Sequence, residues 1–221
     1  MTKELKIWSL FVGIGISTMT LLWLLSRKKT KTTAFKTKLV NIANVEHEAW
    51  GFGKIKEGSQ DTIQRLRNYW EQGAGIKAND NFYVNEAWSS AFISYLMKKA
   101  GAGDEFKYNA SHSQYITEAI KNRKENNSKK FKGYKPNEVK VEVGDLVCYP
   151  RQKGVTYDSK AGYLSHCDLI VAVKEDRATG VGGNVSNSVN KKNYPLKNGK
   201  IDKSRDTLNY GGVFVVIKNK K

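Results

Sequence analysis

The sequence predicts an α+β domain in which helices pack on a small antiparallel sheet. Three observations carry that expectation. The first half of the chain places apolar residues at helical spacing. From Val139 onward the pattern changes to period two and to β-branched runs. Helices precede strands instead of alternating with them, which is the order of an α+β fold and not of stacked βαβ units. With 221 residues the chain can form one domain with a substantial core plus appendages.

At the N-terminus, residues 7–25 carry no charge and would span about 28 Å as a helix, close to the hydrocarbon thickness of a bilayer. Trp8 and Trp23 stand near its two ends, where interfacial aromatics are common. The run is longer than the apolar region of a cleaved leader, and no small-residue cleavage site precedes Ser26-Arg27-Lys28-Lys29. The expectation is a single-pass membrane anchor over residues 1–28, a basic, threonine-rich linker over 29–38 and a folded domain over 39–221. Lys3 and Lys6, offset by Glu4, flank one side; Arg27, Lys28, Lys29, Lys31, Lys36 and Lys38 flank the other. That asymmetry favours a cytoplasmic domain. A cell-wall substrate would then be out of reach, unless the protein meets the membrane from outside, as a phage or injected protein does.

Within the domain, Leu39, Ile42, Val45, Ala49 and Trp50 predict a helix over 39–50, and Ile63, Leu66, Tyr69 and Trp70 predict another over 60–72. Asn85 is suited to cap a helix from Glu86 to Ala100, with Gly101 as its stop. Ser111 is placed to cap the helix that carries Tyr115, Ile116, Ala119 and Ile120. Strands are predicted over 141–149, 168–174, 179–182 and 213–218.

The net charge of +17 is concentrated in blocks: the one after the apolar run, a second between Lys121 and Lys135, and the C-terminal lysines. Such charge suits anionic partners: lipid headgroups, acidic cell-wall polymers or nucleic acid. No helix-turn-helix, zinc-finger or aromatic-basic signature accompanies it, so no specific nucleic-acid partner is expected. Cys148 and Cys167 are too few for a disulfide scaffold, and both lie in strand-like runs, which leaves one cross-strand bridge open. His47, His112 and His166 are far apart and no Cys/His spacing matches a zinc site, so neither metal nor cofactor is expected.

Chemistry concentrates in Trp88-Ser89-Ser90-Ala91-Phe92, Ser165-His166-Cys167-Asp168 and Gly182-Gly183-Asn184. Ser89 lies in the first turn of its predicted helix, where free N–H groups favour a developing negative charge. A serine hydroxyl needs a base, and a neutral imidazole held by a third group is the usual one. His166 opens a strand and can face a helix packed on the sheet, while Asn184 on the next strand could hold its ring. Ser89, His166 and Asn184 are therefore the candidate nucleophile, base and orienter. Trp88, His112 and Asp168 are the candidate substrate contacts. Asp168, on the face of His166 by strand alternation, is a rival orienter. Cys167 should point to the opposite face, into the core.

These stretches, with Gly144-Asp145-Leu146-Val147, resemble papain-like amidases of the NlpC and CHAP type, in which a cysteine starts the central helix and a histidine opens a later strand. The closest resemblance is to the bacterial domain of unknown function 2272 family, carried by Trp88 to Phe92, Ser111 to Ile116, Gly144 to Cys148 and Ser165 to Asp168, over roughly residues 40–217. The resemblance implies a papain-like fold and cleavage of amide bonds in peptidoglycan or a related peptide. It places Ser89 where the amidases carry cysteine. A cysteine there is partly thiolate, and a serine is not. Two readings follow: a membrane-anchored Ser-His-Asn hydrolase, or a non-catalytic cell-wall-binding module, such as a phage or secretion-system component, on the same fold.

Overall fold

The computed structural model describes residues 33–221. The predicted anchor and the first part of the predicted linker lie outside the described residues. Among those described, no helix is long and apolar enough to cross a membrane. Five helices come first: α1 (Ala34–Ala49), α2 (Gln60–Asn68), α3 (Asp80–Asn85), α4 (Ser89–Ala100) and α5 (His112–Lys124). Seven strands follow: β1 (Phe131–Tyr134), β2 (Leu146–Pro150), β3 (Ser165–Val173), β4 (Arg177–Gly182), β5 (Asn190–Lys197), β6 (Lys200–Ile201) and β7 (Val215–Asn219). They pair antiparallel in the order β1-β7-β2-β3-β4-β5-β6, so the α+β expectation holds.

Several boundaries differ from those predicted. Helix α1 starts at Ala34, because the Thr33 hydroxyl accepts the Lys36 N–H and caps it there. The end of the predicted linker is thus helical, and Phe35 packs edge-on against Phe131. Asn85 does not cap the central helix. It ends α3 and its amide turns back to Asn81, while Asn79 caps α3 through the Phe82 N–H. The chain then extends through Glu86, so α4 begins only at Ser89. Ser111 precedes α5, but its hydroxyl bonds Ser113 and leaves the helix without a side-chain cap. Gly101 does end α4, in the left-handed conformation its missing Cβ permits. Strands β1, β5 and β6 were not predicted; Asn190-Lys191-Lys192-Asn193 in β5 is too polar to show an apolar period.

Helix α4 is the centre of the domain. Every residue from Ser89 to Met97 is buried, as expected of a helix that is covered on all sides. After α2 the chain makes a π-helical turn (Tyr69–Ala74) whose Gly73 lies directly on α4, and a Cβ there would run into the Ala91 carbonyl and Tyr95. Trp50, Tyr69, Trp88 and Phe92 form an aromatic stack beside it, with the Trp50 and Trp88 rings 5.0 Å apart.

The sheet has two buried faces. Leu146, Cys148, Cys167, Leu169 and Val215 pack against the helices. Val147, Tyr149, Ile170, Tyr194 and Val216 form a second apolar cluster on the other face. Cys148 and Cys167 face each other across β2 and β3 and are joined by a disulfide. The Gly144-Asp145 pair works as a structural clasp. The buried Asp145 carboxylate accepts from Lys218 Nζ at 2.6 Å, from the Asn219 N–H at 3.0 Å and from the Glu142 N–H at 2.8 Å. It therefore ties β7 to the turn entering β2 at the middle of the sheet.

Candidate functional site

Two helix starts and the first residues of β3 meet at one end of the sheet. Ser89 is the first residue of α4 and His112 the first of α5. The Ser89 Oγ lies 2.7 Å from His112 Nε2. His112 Nδ1 is hydrogen-bonded to the Tyr115 phenol one turn along α5. Nearby, the Ser90 hydroxyl donates to the Asn109 carbonyl at 2.9 Å.

Burial holds His112 well below the usual imidazole range, and the neighbouring His166 and Arg151 push it the same way. It is neutral at pH 7. A neutral imidazole protonated on Nδ1 donates to the Tyr115 phenol and turns the Nε2 lone pair toward the Ser89 hydroxyl.

A second chain runs through β3. His166 and Asp168 share one face of the strand by alternation, and His166 Nε2 is 2.8 Å from Asp168 Oδ1. The Tyr194 hydroxyl donates to Asp168 Oδ2 at 2.5 Å. Burial pushes the Asp168 carboxyl up, but His166 and the Tyr194 and Lys192 partners outweigh it and hold it below its ordinary value. An ionised Asp168 accepts from both sides, so Nε2 of His166 carries its proton. Nδ1 makes no hydrogen bond among the described residues. The two histidine rings lie 5.2 Å apart.

The cleft in front of these groups has a volume of about 660 Å³ and is lined by Ser89, His166, Asn184, Tyr149, Arg151 and Lys192 among others. Ser89 is buried but reaches the cleft wall. The structure thus brings Ser89, His112, His166 and Asp168 into one cluster, with His112 and not His166 bonded to Ser89. Strand alternation puts Cys167 toward the helices and His166 on the other face, so His166 meets His112 at the sheet's end and not across the helix–sheet core. Asn184 lines the cleft, but the hydrogen bond at His166 Nε2 is made by Asp168. The cause is local: Asn184 sits past the end of β4 with φ +54°, so it no longer follows the strand's alternation. Trp88 is fully buried in the aromatic stack, and its indole donates to Glu57 at 2.5 Å, so it does not line the cleft.

Tyr115, Tyr194, Tyr149, Arg151 and Lys192 escaped the sequence reading. The glycines of β4 were a usable signal: a Cβ on Gly180 or Gly182 would meet Asp168. Among the described residues no cluster of three or more His, Cys, Asp or Glu side chains could hold a metal ion.

Fold and site together define an α+β domain in which two helix starts carry a Ser–His pair and the antiparallel sheet a His–Asp–Tyr chain, side by side at one cleft. The chain belongs to the family described as "Uncharacterized protein conserved in bacteria (DUF2272)", whose model matches residues 48–213. Comparison with curated proteins and with solved structures returns no match.

Proposed function

We propose that this domain is a hydrolase of amide bonds in peptidoglycan or a related peptide, of the papain-like layout but with serine as its nucleophile. The observation that carries the reading is the 2.7 Å contact between Ser89 Oγ and Nε2 of His112. In the first step Ser89 Oγ attacks the carbonyl carbon and its proton passes to His112 Nε2. The C–N bond then breaks and His112 returns the proton to the leaving amine. In the second step a water attacks the acyl carbon as the Nδ1 of Asp168-held His166 takes its proton; the ester C–O bond breaks, the acid leaves, and the proton returns from His166 through solvent to the Ser89 oxygen, which restores both groups. Backbone N–H groups in the first turn of α4 would receive the oxyanion. This assignment gives His112 the proton-accepting role in the first step, and Asp168 the orienting role for which Asn184 was the sequence candidate.

The net charge of +17 and the apolar run at residues 7–25 support a membrane-anchored protein working near anionic wall polymers. The Cys148–Cys167 bridge favours an oxidising compartment for the domain, against the cytoplasmic side suggested by the flanking charges.

The test is covalent labelling of Ser89 by a fluorophosphonate probe together with muropeptide turnover by the full chain in detergent. His112→Ala should abolish both. His166→Ala should still form the acyl-serine and accumulate it. No Ser89 adduct and no muropeptide product would overturn the proposal, and muropeptide binding without either would leave a cell-wall-binding module.

A further inference from the structure

One wall of the cleft is built around a phenol flanked by two cations. Lys192 Nζ donates to the Tyr149 hydroxyl at 2.8 Å and lies 4.6 Å from the ring centroid. The Arg151 guanidinium lies 5.4 Å from the same centroid. Neither cation forms an ion pair among the described residues. No acidic residue lines the cleft, and the nearby Asp168 is already committed to His166 and Tyr194. Like charges gathered beside one phenol repel each other, and burial lowers the Lys192 ammonium below its ordinary value, with Arg151 acting in the same direction. An arriving anion would relieve both effects.

We propose that Arg151 and Lys192 form a carboxylate-binding subsite, so that the substrate carries a free carboxylate close to the bond presented to Ser89. Arg151 supplies a planar fork suited to a carboxylate and Lys192 a point charge. The inference rests on the hydrolase reading only in calling the occupant a substrate.

The test compares binding of N-acetylglycylglycine and its C-terminal amide to the full chain in detergent, by calorimetry or by chemical-shift titration. The carboxylate should bind at least about tenfold more tightly than the amide, and the difference should shrink with salt. Arg151→Gln or Lys192→Gln should each reduce the preference, the double variant should remove it, and Ser89→Ala should leave it intact. Equal binding of the two peptides by the unaltered chain would overturn the proposal, and so would inorganic phosphate binding more tightly than the carboxylate. A preference without a Ser89 adduct would sink only the hydrolase reading. An adduct without a preference would sink only the subsite.

Discussion

Gly182 on β4 leaves open the space that the Asp168 carboxylate of β3 occupies: a Cβ at Gly182 would press on Asp168 Oδ1 and lie 2.9 Å from His166 Nε2. Gly182→Ala must therefore displace the carboxylate from the ring it holds. The expected cost is about 1–3 kcal/mol of stability, as for other overpacked interiors. The His166–Asp168 hydrogen bond should be lost with it. Chemical denaturation and the imidazole proton resonances of His166 would check the two effects separately.

His112 should impose a pH dependence on stability. Its folded value lies well below the 6.5 of the free imidazole, chiefly through burial, so between those two values the unfolded chain binds the proton and the native one does not. The contribution is fully present above about pH 6.5 and is lost as pH falls through the interval toward the folded value. Urea unfolding from pH 8 to pH 5 should show the decline, and His112→Gln should remove that part of the slope.

Asp168 and Tyr194 should differ in their effect on turnover. Asp168→Asn removes the charge and the acceptor that fix the His166 tautomer, and a loss of about 10²–10⁴-fold in kcat is expected. Tyr194→Phe removes one hydrogen bond to a carboxylate that His166 still engages, so the loss should be about tenfold or less, accompanied by some destabilisation. Steady-state hydrolysis of a muropeptide by the two variants measures the difference.

The Cys148–Cys167 bridge closes a loop whose ends are 19 residues apart. Chain-entropy arguments give such a loop about 3 kcal/mol. Reduction, or the paired replacement Cys148→Ala with Cys167→Ala, should lower Tm by several degrees. Because His166 and Asp168 flank Cys167 on the opposite face of β3, hydrolysis of the acyl-serine should slow as well. Scanning calorimetry with and without reductant tests the first effect, and the accumulation of acyl-serine during muropeptide turnover under the same conditions tests the second.

Much of this molecule is legible in local pattern. Helical spacing around Tyr69 and Leu96, the stop at Gly101 and the β-branched runs of β3 and β7 each report their own neighbourhood, and local chemistry is enough to predict them. The residue types at Ser89, His166 and Asp168 could also be read as chemistry-bearing before any contact was known. Two residues apart on a strand, His166 and Asp168 share a face wherever the strand lies.

Tertiary structure alone decided the pairing of these groups. Ser89 and His112 are 23 residues apart, and only the packing of two helix starts against one another makes them partners. Asp168 takes the hydrogen bond at His166 Nε2 because it stays in the strand, while Asn184 lies past the end of β4 in a left-handed turn. Lys192 reached the cleft through β5, a strand too polar to show a buried face in its sequence. Periodicity records which side of an element is covered, but not which side chain from elsewhere covers it. In this domain the candidate site is made almost wholly of that second kind of information.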